Sequence, residues 1–117
     1  MDTIRSLTNW FTSSEQALAE AAGEGMHAFI NADDAYELGP HWHDFKSHLY
    51  LLEGRLRMTD SATGVQLDCG VGSKVIVPAR CVHREQTNGM TYVLALSVDP
   101  ATLTGDINRD PGELVGR

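Results

Sequence analysis

The stretch Gly39-Pro40-His41-Trp42-His43-Asp44-Phe45-Lys46-Ser47-His48-Leu49-Tyr50-Leu51-Leu52-Glu53-Gly54 holds three of the chain's five histidines within eight residues. Residues two apart on a β-strand share a face, so His41 and His43 project into the same space while Trp42 points the other way. Two neutral imidazoles side by side can chelate a metal ion, and they can equally form an exposed pair on an edge strand. The apolar run that follows, the Glu53-Gly54 signal and the alternation Arg55-Leu56-Arg57-Met58 read as strand, turn, strand.

Outward from this stretch the same texture continues. Short runs are separated by turn signals at 31–34, Gly39-Pro40, Glu53-Gly54, 60–64, 68–72, Pro78-Ala79 and Asn88-Gly89. The strands expected between them are 26–32, 36–38, 41–45, 48–52, 55–59, 65–68, 74–77, 82–86 and 91–98. No helical periodicity runs between them, which argues against parallel βαβ units and for an all-β sandwich or barrel. Ahead of Met26, Thr12-Ser13-Ser14 supplies N-cap hydroxyls, and Gln16 stands three residues after Ser13 as a capping box requires. A short helix over 13–22 is therefore expected within an extension spanning 1–25. Trp10 and Phe11 are too large for that helix to cover alone, so they should dock on the barrel or on a second subunit. Residues 26–98 form the barrel, and 99–117, with two prolines and little periodicity, a surface tail.

The 117 residues, 42% of them hydrophobic and 21% charged, fit one domain with one core and exclude wholesale disorder. A net charge of −7 repels phosphate backbones and anionic lipid headgroups, so nucleic acid is not an expected partner. Apolar runs such as Leu49-Tyr50-Leu51-Leu52 fall far short of the roughly 20 residues that a membrane-spanning helix needs. The opening residues Met1 to Ser6 show neither a basic leader nor an apolar stretch, which points to a cytoplasmic protein. Cys69 and Cys81 lack metal-site spacing and read as two free thiols.

Over about residues 36–98 the sequence resembles the cupins. Gly39, His41, His43 and Gly54 fall in that family's first motif, and Gly72, Pro78, His83 and nearby Asn88 trace the second. The resemblance implies a single jelly-roll β-barrel in which His41, His43 and His83 meet on one divalent transition metal inside the barrel. Iron is the first expectation, with zinc, nickel, manganese or copper as alternatives. It also implies a small-molecule ligand and a homodimer, with Trp10, Phe11 and the strand from Met26 partly buried between subunits.

The departures from the family pattern are specific. Ser47 occupies the place of the usual glutamate ligand, and a hydroxyl is a poor ligand for such a metal. His48, one residue further on, should point away from the metal unless a bulge shifts the register. Arg80 replaces a turn glycine and Thr87 the terminal asparagine. Glu85, two residues after His83, shares its face; it is either a missing fourth ligand, a general acid–base, or a barrel-mouth residue paired with Arg80 or Lys74. Asp44 and Arg84 read as solvated outer-face charges, and Arg55 and Arg57, out of phase with Leu56 and Met58, as a solvated or interface face. Three function classes follow: a dioxygenase-like enzyme on iron, a zinc-type isomerase or lyase, and a non-catalytic small-ligand sensor.

Overall fold

The computed structural model describes residues 3–103 and 107–114. The chain runs in the order β1 (Arg5–Leu7), α1 (Ser14–Gly23), β2 (His27–His41), β3 (Ser47–Asp60), β4 (Gln66–Cys69), β5 (Lys74–Val77) and β6 (His83–Leu96), followed by short 3-10 turns at Pro100–Thr102 and Pro111–Leu114. All strand pairs are antiparallel, in the order β1-β5-β3-β6-β2 with β4 paired to β3. The three long strands have 15, 14 and 14 residues, and strand twist over that length curls the sheet around a shared interior as a jelly roll. The fold is all-β with a short N-terminal helix, as expected.

Six strands replace the nine expected, because several turn signals lie inside continuous strands. Glu53-Gly54 falls within β3, Asn88-Gly89 within β6 and residues 31–34 within β2. Gly54 (φ +84) and Gly89 (φ +124) adopt backbone conformations that suit glycine, and the β3–β6 register shifts on both sides of Gly54. These glycines bend the strands without ending them, since the ladder resumes on either side. Residues 31–34 are tolerated because β2 is an edge strand open to water on one side. The expected strand 41–45 does not form: β2 ends at His41, Trp42 makes an isolated bridge to Arg109, and Phe45 lies outside any strand. Strand β1, too short to show a periodicity, is set by its pairing with β5, Arg5 opposite Ile76.

The interior is filled by Leu49, Leu51, Leu56, Met58, Val75, Val77 and Met90. On the outer face Ala17 and Ala21, one helical turn apart, let α1 lie close against Tyr50, Val93 and Ala95. The Ser13 hydroxyl accepts from Gln16 N at 3.1 Å, which confirms the N-cap, while Gln16 Oε1 accepts from Thr12 N at 2.8 Å, one residue earlier than the box predicts. Phe11 is buried edge-on to Tyr50, and Met26 joins the same cluster, so this chain itself covers both. Trp10 remains 45% exposed. The helix is also held by charge: the buried Lys74 Nζ lies 3.0 Å from Glu20 Oε2, and Tyr50 and Trp10 donate to the same carboxylate. Burial raises the Glu20 pKa, but those three hydrogen bonds outweigh it and hold the group below its ordinary value. Cys69 and Cys81 form no disulfide with each other, and Cys81 Sγ donates to Asp60 Oδ2 at 3.6 Å.

Candidate metal centre

Strands β2 and β6 are neighbours, and their register sets His41 opposite His83. Simple alternation does not achieve this. Tyr36 and Leu38 face the barrel interior, so residue 40 would be the next to do so. Between the pairs Leu38–Glu85 and His41–His83 the β2 strand carries one extra residue. This bulge at Gly39-Pro40 turns His41 inward, and its position on an edge strand accommodates a proline with no N–H to donate. The ring centroids lie 4.3 Å apart for His41 and His83, 5.1 Å for His41 and His43, and 5.3 Å for His43 and His83. One ring nitrogen from each of the three lies within 4.8 Å of the others.

Each Nδ1 faces a main-chain carbonyl: His41 that of Gly39 at 2.7 Å, His43 that of Ile107 at 3.0 Å, and His83 that of Cys81 at 2.9 Å. A carbonyl can only accept, so Nδ1 carries the proton and each neutral ring keeps its lone pair on Nε2. His41 Nε2 is buried without a hydrogen-bond partner. A buried polar atom left in that state is costly, and a cation bound to its lone pair would satisfy it. His83 is 1% exposed, and burial, reinforced by His41 and His43 and opposed by its hydrogen bond to Cys81, lowers its pKa to about 4. Its imidazole is thus neutral and ready to ligate at neutral pH. The donor set, three neutral imidazoles in a partly enclosed site, suits a divalent transition metal.

The other expected residues divide between the two faces of the barrel wall. Ser47 is buried and lines the interior at the place of the absent carboxylate. His48 points to the opposite face, where its Nδ1 lies 3.2 Å from Glu24 Oε2 and burial, reinforced by Lys74, lowers its pKa. Glu85 does face the interior: its carboxylate lies 3.8 Å from His41 Nε2, and Tyr36 lines the same cavity. Desolvation raises the Glu85 pKa above its ordinary value despite opposition from His41 and Tyr36. Neither Arg80 nor Lys74 pairs with it in the observed ion pairs, since Lys74 is engaged with Glu20 and Glu24 on the outer face. Arg80 keeps the left-handed turn at φ +62, and its N–H donates to the His43 carbonyl at 2.8 Å, tying the two motifs together. Thr87, buried in the asparagine's place, donates to the Arg55 carbonyl at 2.7 Å. Asp44, Arg55, Arg57 and Arg84 are exposed, as expected.

Next to the histidines opens a cavity of about 480 Å³. Its walls are mainly apolar, with Leu38, Phe45, Leu49, Met58, Met90 and Leu94 among them, and no lysine or arginine lines it among the described residues. Tyr36, absent from the sequence reading, was detectable only as a residue in phase with Leu38 on the same strand. The Ile107 carbonyl that holds His43 had no local signal at all, being 64 residues away.

Comparison with known proteins supports the fold. No protein-family model and no curated protein matches the chain. Among solved structures it is similar to a DUF861 family protein from Thermotoga maritima, with 17% identity and a TM-score of 0.57 over 78% of this chain and 96% of that one. It is similar to a DUF861 family protein of unknown function from Pseudomonas syringae, at 18% identity and a TM-score of 0.57 over 61% of this chain, but spans only 30% of that protein. An RmlC-like cupin from Shewanella frigidimarina is similar at 20% identity, with a TM-score of 0.50 over 67% of this chain and 78% of that one. In its fold, the chain is a cupin.

Proposed function

We propose that the protein is a metal-dependent enzyme acting on a small organic molecule, with His41, His43 and His83 holding one divalent transition metal and Glu85 serving as acid–base group. The observation that carries this reading is the buried, unpartnered His41 Nε2 among three imidazoles whose Nδ1 atoms all face carbonyls. Bound there, the metal supplies a Lewis acid that polarises a substrate oxygen and, if it is iron, a route to dioxygenase-like oxygen chemistry. The remaining work falls to the chain. The apolar walls exclude water, and with Asp33, Asp34 and Glu85 in the lining and no lysine or arginine among the described residues, an anionic substrate group would have only the metal to bind. Glu85 lines the cavity together with Tyr36, and its raised pKa suits it to take a proton from the substrate and return it. A half-buried, proton-transferring carboxylate beside the histidines favours an enzyme over a sensor.

The Glu85→Gln protein tests this. Its metal content by elemental analysis should match the wild type, while turnover falls by about 10²- to 10⁴-fold. Turnover is followed as oxygen uptake or solvent-deuterium exchange over a panel of small neutral carbonyl and phenolic compounds. Lost metal would instead make Glu85 a ligand, and unchanged turnover would leave it no role.

A homodimer belongs to the same proposal. The outer edge of β2 carries no partner strand among the described residues, and Phe29 and Ile30 are exposed on that strand. Sedimentation at micromolar concentration should give a species of twice the 12.8 kDa chain mass, and a monomer alone would refute the assembly.

A further inference from the structure

We infer that the C-terminal segment 107–114 is part of the metal centre, because it positions His43. The inference rests on the three-histidine reading above. His41 and His83 lie on strands, and their Nδ1 atoms bond carbonyls two residues away, within their own local chain. His43 has neither support: β2 has ended two residues earlier, and its Nδ1 donates to the carbonyl of the distant Ile107.

The chain just after that carbonyl is itself held in place. Trp42 N donates to the Arg109 carbonyl at 3.2 Å, and Arg109 N donates to the Trp42 carbonyl at 2.9 Å. The fully buried Trp42 indole donates from Nε1 to the Asp110 carbonyl at 2.8 Å. Arg109 then fastens the contact: its guanidinium lies over the Trp42 ring at 5.1 Å, its Nη1 donates to Asp44 Oδ2 at 2.7 Å, and its Nε donates to Glu113 Oε2 at 3.0 Å. Trp42 and Asp44 flank His43 in sequence, so the segment grips the chain on both sides of this histidine. Ile107 and Asn108 also line the cavity, which makes the same segment one of its walls. Arg109 is thus a positioning residue that touches no ligand atom and acts through His43.

Optical titration of the metal-free protein with Co²⁺ tests this without reference to turnover. Arg109→Ala should weaken Co²⁺ binding about 10- to 100-fold, the range for groups that orient a ligand, and Arg109→Lys should fall between the two proteins. A chain ending at Asp106, which lacks the Ile107 carbonyl altogether, should lose at least as much. The decisive measurement is the double variant. Arg109→Ala added to His43→Ala should cost no further affinity, because the arginine acts through a ligand already gone. Additive losses would mean a general effect on the fold and would overturn the inference, as would wild-type affinity in Arg109→Ala and the shortened chain. A wild-type protein with no histidine-dependent Co²⁺ binding would instead sink the reading of the site itself.

Discussion

Purified His41→Ala, His43→Ala and His83→Ala proteins are each expected to lose nearly all bound metal, with affinity for a divalent transition ion down by about 100-fold or more, since every ligand carries a large share of the binding free energy. Elemental analysis and competition with a chelator measure this. His83 is the most informative of the three. Its ring is 1% exposed, lies 4.3 Å from His41, and has its tautomer set by the Cys81 carbonyl, so its removal opens the site at its most buried corner. Two controls should retain full metal: His27→Ala, at the exposed start of β2, and His48→Ala, which faces Glu24 on the other side of the wall. Full metal in His83→Ala would overturn the assignment. Acid should release the metal late as far as His83 is concerned. An unperturbed histidine near 6.5 would take up competing protons just below neutrality, whereas burial holds His83 near 4 and postpones its competition to that range. The same depression acts on stability with a definite sign. The unfolded chain binds a proton at His83 below about 6.5 that the folded chain refuses until about 4, so the metal-free protein loses stability as pH falls through that window.

Gly54→Ala should be the most damaging single change outside the site. Gly54 sits at φ +84, and a Cβ built there would collide with the Gly89 carbonyl oxygen and lie 3.1 Å from the Met90 Cα. The obstruction is main chain belonging to β6, so no side chain can swing aside to relieve it. Backbone strain of about 1–3 kcal/mol and overpacking of about 1–3 kcal/mol combine here, against a total stability that for most domains is about 5–15 kcal/mol. The melting temperature should fall by about 10 °C or more, measured by calorimetry or circular dichroism on the metal-free protein. Gly23→Ala is the matched control: nothing lies within 4 Å of its added Cβ, and as a helical position it should be neutral or slightly stabilised. A melting point for Gly54→Ala within a degree or two of the wild type would refute the close approach of β3 and β6.

The features that could be read in advance are those encoded over a few residues. The two-residue spacing of His41 and His43 kept them close, although the strand expected to carry both does not form, the count back from Gly54 assigned Ser47 to the vacant carboxylate place and His48 to the opposite face, and Ser13 with Gln16 marked the start of α1. Together with the second-motif histidine they made the resemblance to a jelly roll legible.

Period-two reasoning assumes an unbroken strand, and it went astray where the backbone departs from that. At Gly39-Pro40 an extra residue shifts the phase, so His41 faces inward together with Tyr36 and Leu38, which differ from it in parity. At Gly54 and Gly89 a turn signal became a bend, because β3 and β6 pair on both sides of it and their ladder hydrogen bonds outweigh the local preference to turn. The pairings of Lys74 with Glu20 and of His43 with Ile107 join residues 54 and 64 positions apart. Ion pairs and hydrogen bonds act over a few ångströms of space and leave no periodic trace along the chain, so strand-and-turn spacing pointed to a sandwich or barrel and the resemblance to the cupins to a jelly roll with three candidate histidines, while the folded packing chose which neighbours hold those histidines, set their tautomers and shaped the cavity beside them.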